Sequence, residues 1–135
     1  MKSPCVKTIF IALGFMLCVF SAQAQKVKAK ALKPAEFKNL IEQISHPFIV
    51  DIRASEDYEA GHIPAAINLD ATDFRFVQTV QNRCALSDTV FVYCKLGRTS
   101  KVASELLVKK GFLHIYQLKG GIFAWTKQYP LVSKD

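Results

Sequence analysis

Residues 89–100, with the sequence TVFVYCKLGRTS, decide how this chain folds. The first five residues are β-branched or aromatic, which is typical of a buried strand. A basic loop containing a glycine follows, and Thr99 or Ser100 is placed to cap the next helix. Cys94 is therefore predicted to lie between the end of a strand and the start of a helix. Open α/β sheets bind ligands at this edge, because loops converge there and helix N-termini present unpaired N–H groups.

The loop after the strand has the chemistry of an anion site that contains a reactive thiol. The N–H groups at the helix start and the cations Lys95 and Arg98 favour the thiolate form of Cys94, and the thiolate is the nucleophile. The loop therefore predicts a reactive cysteine in an anion-binding cradle.

The first 24 residues have the pattern of a secretory signal peptide. Lys2 and Lys7 precede an apolar run over residues 9–20, and Ala22-Gln-Ala24 supplies the small-x-small pattern of a cleavage site. The apolar run is shorter than a membrane-spanning helix requires. We therefore expect cleavage after Ala24, no stable membrane span, and export to the periplasm or out of the cell.

Cleavage after residue 24 of the 135 leaves 111 residues, enough for one domain, and lowers the formal net charge from +7 to +5. A basic chain suits a small anionic substrate but does not identify one. Lysines alternate with apolar residues over 25–32 without aromatic side chains, which indicates a solvated basic leader and gives no support for nucleic-acid binding. The domain itself is expected over residues 33–130, with a tail over 131–135.

Two cysteines, Cys84 and Cys94, lie outside the signal. A pair in an exported protein usually suggests a disulfide. However, the strand between them extends about 16 Å at ~3.3 Å per residue, whereas bridged Cα atoms lie within about 7 Å. Cys84 is therefore predicted to be a structural, half-buried thiol. The three histidines have no spacing typical of metal ligands, so no metal or cofactor is predicted.

Predicted strands alternate with predicted helices along the remaining chain. Apolar runs indicate strands at residues 48–51, 66–68, 89–93 and 114–118. Helices are predicted from residue 34 and over residues 55–58, 73–83, 100–110 and 122–125. The helix over 73–83 is expected to direct Phe74, Val77 and Val80 toward the core. The helix over 100–110 is expected to bury Val102, Ala103, Leu106 and Leu107. This alternation predicts a parallel, right-handed α/β sheet covered by helices on both faces.

Three motifs, in order, resemble those of a single-domain rhodanese. They are Asp51-Ile-Arg53 with the following Gly61-His-Ile-Pro-Ala-Ala-Ile-Asn68, then Tyr93-Cys94-x-x-Gly97-Arg98-x-Ser100, and finally Gly120-Gly121 with Trp125. With its signal peptide, the chain is similar to the small exported rhodaneses of bacterial envelopes. The resemblance implies a rhodanese-like parallel sheet of about five strands with helices on both faces.

The resemblance also implies a sulfurtransferase, in which Cys94 takes a sulfane sulfur from a donor such as thiosulfate and passes it to cyanide or a thiol. The implied substrate-binding residues are those of the loop: Lys95, Leu96, Gly97, Arg98, Thr99 and Ser100. Leu96 stands where family members often have a polar residue, so it bears on donor preference. The implied partners are a small anionic donor, a thiol or cyanide acceptor, and a thiol reductant or sulfur-accepting protein, and the chain is expected to be a monomer.

The motif residues outside the loop allow more than one role. Asp51 and Arg53 either orient the loop through hydrogen bonds or form an ion pair that ends the strand. His62 belongs to a turn that shapes the fold, and Trp125 is predicted to anchor the core.

The residues argue against two other enzymatic functions and leave one alternative open. A cysteine phosphatase or arsenate reductase needs an arginine six residues after its cysteine, where this chain has Ser100. A thiol–disulfide oxidoreductase needs a second cysteine where Gly97 stands. A non-turnover sulfur carrier or binding module that works with a partner protein is the third alternative.

Overall fold

A computed structural model of the protein describes residues 25–133, so the predicted signal peptide lies outside the described residues. In this range no helix is both long enough and apolar enough to cross a membrane. The elements in chain order are β1 (Lys30–Leu32), α1 (Pro34–Gln43), β2 (Phe48–Asp51), α2 (Ser55–Ala60), β3 (Ile67–Asn68), α3 (Phe76–Arg83), β4 (Thr89–Tyr93), α4 (Arg98–Lys109), β5 (His114–Leu118) and α5 (Gly121–Trp125).

The five strands form one parallel sheet in the order β1-β5-β4-β2-β3. This confirms the predicted α/β sheet of about five strands. The central strand β4 is buried from Val90 to Tyr93, as expected for a β-branched and aromatic run that is covered on both faces. The loop that contains Cys94 therefore starts from the middle of the C-terminal edge of the sheet.

Successive residues of β4 face opposite sides of the sheet. Val90, Val92 and, after the strand, Cys94 pack into a cluster with buried residues of α3 and α4. Phe91 and Tyr93 pack into a second cluster that contains Phe37 of α1 and Ile122 and Trp125 of α5. The helices thus cover both faces, and the sulfur of Cys94 lies on the α3–α4 side.

The start of α3 differs from the sequence prediction. The helix begins at Phe76, and Phe74, predicted to face the core, is 94% exposed. The Asp73 carboxylate accepts hydrogen bonds from the backbone N–H and guanidinium of Arg75, which closes a turn just before the helix. Because this turn occupies the predicted first helical residues, Phe76 takes the core position instead.

Helix α4 also differs from its prediction in both start and orientation. It begins at Arg98, after Gly97 at φ 88°, and neither Thr99 nor Ser100 caps it with a side chain. Ala103 and Leu107 are buried as predicted, but Val102 is 67% exposed and Leu106 39% exposed. Ser100 and Ser104 complete the buried face instead. The physical reason lies at Ser100, which hydrogen-bonds the sulfur of Cys94 and so turns this face of the helix toward the sheet.

Backbone pairing continues on both sides of residues 33–130, the range predicted for the domain. Within the predicted leader, residues 30–32 form β1, which pairs with β5, and the N–H of Lys119 donates to the Leu32 carbonyl at 2.8 Å. In the predicted tail, Val132 and His62 exchange backbone hydrogen bonds of 2.9 and 3.0 Å. The His62 ring stacks on Tyr58 at 3.8 Å, as suits a residue that shapes this turn.

Candidate active site

The sulfur of Cys94 is held in a cradle of hydrogen-bond donors. Cys94 is only 6% exposed. The backbone N–H of Gly97 donates to its sulfur at 3.1 Å, and the N–H of Ser100 donates at 3.3 Å. The hydroxyl oxygen of Ser100 lies 3.4 Å from the same sulfur. These donors come from the loop and from the first turn of α4. The left-handed conformation of Gly97 turns the chain so that N–H groups of both segments point to the Cys94 sulfur.

The pKa of the Cys94 thiol is lowered from its ordinary value by these donors. Burial is the largest single effect, and it raises the pKa because it disfavours the charged thiolate. Hydrogen bonds from the Ser100 side chain, and from the backbone N–H groups of Ser100, Gly97 and Leu96, together outweigh burial. The predicted thiolate thus depends on hydrogen-bond donors rather than on Lys95 and Arg98, which are exposed.

Cys84 lies in a different environment from Cys94, and within residues 25–133 both are free thiols. Burial, and then the nearby Asp88 carboxylate, raise the pKa of Cys84 to about 11. Its sulfur donates to the Val80 carbonyl at 3.3 Å, at the end of α3. We therefore expect Cys94 to be the more reactive of the two thiols, because only a thiolate is a good nucleophile.

Two glycines, Gly97 in the cysteine loop and Gly121 at the start of α5, allow these two segments to lie close together. A Cβ at Gly97 would lie 3.1 Å from the backbone N of Gly120, and a Cβ at Gly121 would lie 2.4 Å from the Lys95 carbonyl oxygen. The N–H of Ile122 donates to the Cys94 carbonyl at 2.9 Å, and the N–H of the next residue donates to the Lys95 carbonyl at 3.1 Å. The Gly-Gly motif thus lets α5 approach the cysteine loop and hold two of its carbonyl groups.

The rim of the cradle is cationic and partly apolar. The side chains of Lys95, Leu96, Arg98 and Thr99 are exposed. Leu96 is 56% exposed, and so is Phe123, whose ring lies 4.6 Å from the Lys127 ammonium. An anion that approaches the sulfur therefore passes exposed positive charges.

Asp51 and Arg53 form an ion pair at the end of β2. Asp51 is fully buried, and its carboxylate lies 2.6 Å from the guanidinium of Arg53, which also donates to the Gly61 carbonyl at 2.7 Å. Asp51 pairs in register with Tyr93, so its side chain lies on the face of the sheet opposite the Cys94 sulfur. Of the two roles that the sequence allowed, these contacts match the ion pair that ends the strand and fixes the following turn.

Comparison with known proteins identifies the family. Residues 33–128 match the model of the rhodanese-like domain. The chain belongs to the rhodanese-like domain family. It is 29% identical over 107 residues to the tRNA uridine(34) hydroxylase of Pelagibacter ubique, and the match covers 79% of this chain and 35% of that protein.

Solved structures share the fold. A rhodanese-like domain protein from Staphylococcus aureus is 25% identical, with a TM-score of 0.63 over 78% of this chain and 99% of the other. A Saccharomyces cerevisiae homologue of single-domain rhodanese and of the Cdc25 phosphatase catalytic domain is 20% identical, with a TM-score of 0.61 over 75% and 82%. At 20% identity, the similarity to the Saccharomyces cerevisiae protein shows a shared fold and nothing about function.

The site of this rhodanese-like domain contains two side-chain contacts that the sequence did not predict. The Ser100 hydroxyl contacts the sulfur of Cys94, although Ser100 was expected to contribute its backbone N–H or a helix cap. The hydroxyl also donates to the side-chain oxygen of Gln117 in β5 at 3.3 Å. One signal was present in the sequence, because Gln117 is a polar residue between Tyr116 and Leu118 in the predicted strand.

Proposed function

We propose that this rhodanese-like protein is a sulfurtransferase that carries sulfane sulfur on Cys94. The Cys94 thiolate attacks the outer sulfur of thiosulfate or a similar donor, and the bond between that sulfur and the sulfite group breaks. Sulfite leaves with the bonding electron pair, and Cys94 becomes a persulfide. The thiolate of an acceptor, or cyanide, then attacks the outer persulfide sulfur, and the Cys94 thiolate is regenerated.

The observation that carries this proposal is the set of donors that surround one sulfur atom. Donors from Leu96, Gly97 and Ser100 lower the pKa of the attacking thiol. They are also placed to stabilise the negative charge that a persulfide retains after the first step. Sulfur transfer needs an anionic sulfur at the start and at the end of each half-reaction, which suits a cradle of fixed N–H groups.

The residue six positions after Cys94 argues against phosphoryl or arsenate chemistry. Those reactions need an arginine fork on the oxyanion six residues after the cysteine. Ser100 occupies that position, is fully buried, and directs its N–H at the sulfur. Arg98 is exposed on the rim, two residues too early in the loop.

Mass spectrometry after incubation with thiosulfate tests the proposal directly. We expect the peptide that contains Cys94 to gain the mass of one sulfur atom, and to lose it when cyanide or a thiol is added. The Cys84 peptide serves as the internal control, because its thiol is protonated at neutral pH. Turnover of an aryl phosphate without any sulfur adduct would favour a phosphatase instead.

Removal of the rim cations is expected to weaken donor binding. Lys95→Ala and Arg98→Ala should each raise the KM for thiosulfate about threefold, because an exposed charge contributes about 0.2–1 kcal/mol. The increase should shrink as salt is added, since screening weakens the attraction of the wild-type rim. Lys109→Ala, at the far end of α4, is the matched control and should leave KM unchanged. If both rim variants keep the wild-type KM at low salt, the rim does not bind the donor.

We also propose export to the periplasm or out of the cell. The support is the sequence pattern of residues 1–24, which precede the described domain. Intact-mass analysis of protein recovered outside the cytoplasm should show a chain that begins at Gln25. A mass that retains the apolar run would indicate an uncleaved anchor.

A further inference from the structure

A polar residue stands on an apolar face of the sheet beside the candidate site. Gln117 pairs in register with Val92, and the side chains of Val92 and Cys94 lie on the α3–α4 face. On the same face Ile115 precedes Gln117 and is 2% exposed within this cluster. Gln117 itself is half-buried, so its amide is partly withdrawn from water and gains from a hydrogen-bond partner within the protein. Its partner is the hydroxyl of Ser100, at 3.3 Å.

We propose that Gln117 is a positioning residue that controls where the Ser100 hydroxyl directs its proton. This inference rests on the proposed function, in which the Cys94 thiolate is the reacting group. Within the described residues the hydrogen bonds of the Cys94 sulfur are to backbone N–H groups of the loop and to Ser100, and Gln117 bonds Ser100, so Gln117 acts on the sulfur through Ser100.

The Cys94 thiol, the Ser100 hydroxyl and the Gln117 amide have few protons to share among their hydrogen bonds. With Cys94 as a thiol, its S–H donates to the Ser100 oxygen, and the Ser100 O–H donates to the Gln117 oxygen. When the thiol loses its proton to solvent, the sulfur can only accept, so the Ser100 O–H turns to donate to it. The serine oxygen then has free lone pairs, and the amide of Gln117 can rotate and donate an N–H to them.

An amide is suited to this exchange because it carries both an acceptor oxygen and a donor N–H₂ group. It can bond the serine hydroxyl in both protonation states of the cysteine, but it favours the thiolate. The N–H that it then donates strengthens a serine O–H that is bonded to a charged sulfur, and hydrogen bonds in such a chain reinforce one another. A methionine of similar length accepts only weakly and donates nothing, so it leaves the hydroxyl without a partner to orient it. Ser104, one turn further along α4, has a buried hydroxyl with no hydrogen-bond partner among the described residues, and it provides a matched control.

The test is the pH dependence of Cys94 alkylation in the whole chain, measured with iodoacetamide and site-resolved mass spectrometry. Gln117→Met should raise the apparent pKa of Cys94 by about one unit, the size expected when a hydrogen bond to a charged group is weakened. Below that pKa, alkylation should slow about tenfold. Ser104→Ala should leave the profile unchanged.

A double-mutant cycle separates positioning through Ser100 from a general packing effect. Ser100→Ala alone should raise the pKa, and the addition of Gln117→Met should raise it no further. An equal shift from Gln117→Met in both backgrounds, or no shift in either, would overturn the proposal. Gln117→Val, which suits a strand, repeats the cycle if the methionine variant does not fold, and unfolding midpoints report on folding.

Other titratable groups do not confuse this comparison, because every variant retains them. The charged or titratable side chains on the elements packed around Cys94 are Asp51, Arg53, Arg83, Tyr93, Lys95, Arg98, Lys101, Glu105, Lys109, His114 and Tyr116. Alkylation reports the thiolate and not sulfur transfer. A protein that gains no sulfur from thiosulfate but shows the predicted pKa cycle would refute the proposed function and leave the role of Gln117 intact.

Discussion

Cys94→Ser is expected to abolish sulfur transfer from thiosulfate, with a loss of at least about 1,000-fold in turnover. The serine hydroxyl fits the same cradle, but it remains protonated at every pH that the protein tolerates and is a poor nucleophile. It also cannot form a persulfide, so the sulfur adduct should disappear together with the activity. Initial rates of thiocyanate formation and the mass of the corresponding peptide measure both effects.

Cys84→Ser is the matched control for this substitution. Cys84 lies at the end of α3 and precedes β4, whereas Cys94 follows the same strand, so the two thiols lie at opposite edges of the sheet. Burial raises the pKa of Cys84 to about 11, and its S–H group donates a hydrogen bond to a backbone carbonyl. We expect this variant to keep wild-type transfer. Wild-type turnover in Cys94→Ser, or lost turnover in Cys84→Ser, would contradict the carrier role of Cys94.

The sheet could be predicted from the sequence wherever an element is long or strongly apolar. β4 and β5 are five-residue strands with buried apolar side chains, and both were predicted within the correct residues. β1 was not predicted, because three residues that include a lysine carry little pattern. Lys30–Leu32 becomes a strand only through its pairing with β5, a contact distant in sequence.

The side chains of the site were harder to predict than its backbone. The position of Cys94 and the turn at Gly97 follow from local sequence, and the structure has both. The contact between Ser100 and the sulfur depends on the rotation of α4. The predicted apolar stripe was half right, because Ala103 and Leu107 are buried whereas Val102 and Leu106 are exposed. Hydrogen bonds to the Cys94 sulfur hold Ser100 on the buried face of the helix, and apolar periodicity does not report such bonds.

Gly121→Ala should damage the site without touching the cysteine side chain. Gly121 has φ 61°, where an alanine is strained, and its added Cβ would lie 2.4 Å from the Lys95 carbonyl oxygen and 2.5 Å from the Cys94 carbonyl oxygen. Strain and overpacking together are expected to lower the free energy of unfolding by on the order of 3 kcal/mol. Urea denaturation measures this loss.

The activity of Gly121→Ala should fall for a separate reason. The Cys94 and Lys95 carbonyl groups must move to make room for the added Cβ. In the chain they are followed directly by the residues whose N–H groups bind the sulfur, so those N–H groups should move as well. We expect a higher pKa for Cys94 and transfer slower by about tenfold, the effect of about one pKa unit. Gly61→Ala is the matched control, because Gly61 has φ 166° and its Cβ would meet only the Leu131 side chain, at 3.1 Å. Equal thiol reactivity in Gly121→Ala and wild type would show that close packing beneath the loop does not set the geometry of the cradle.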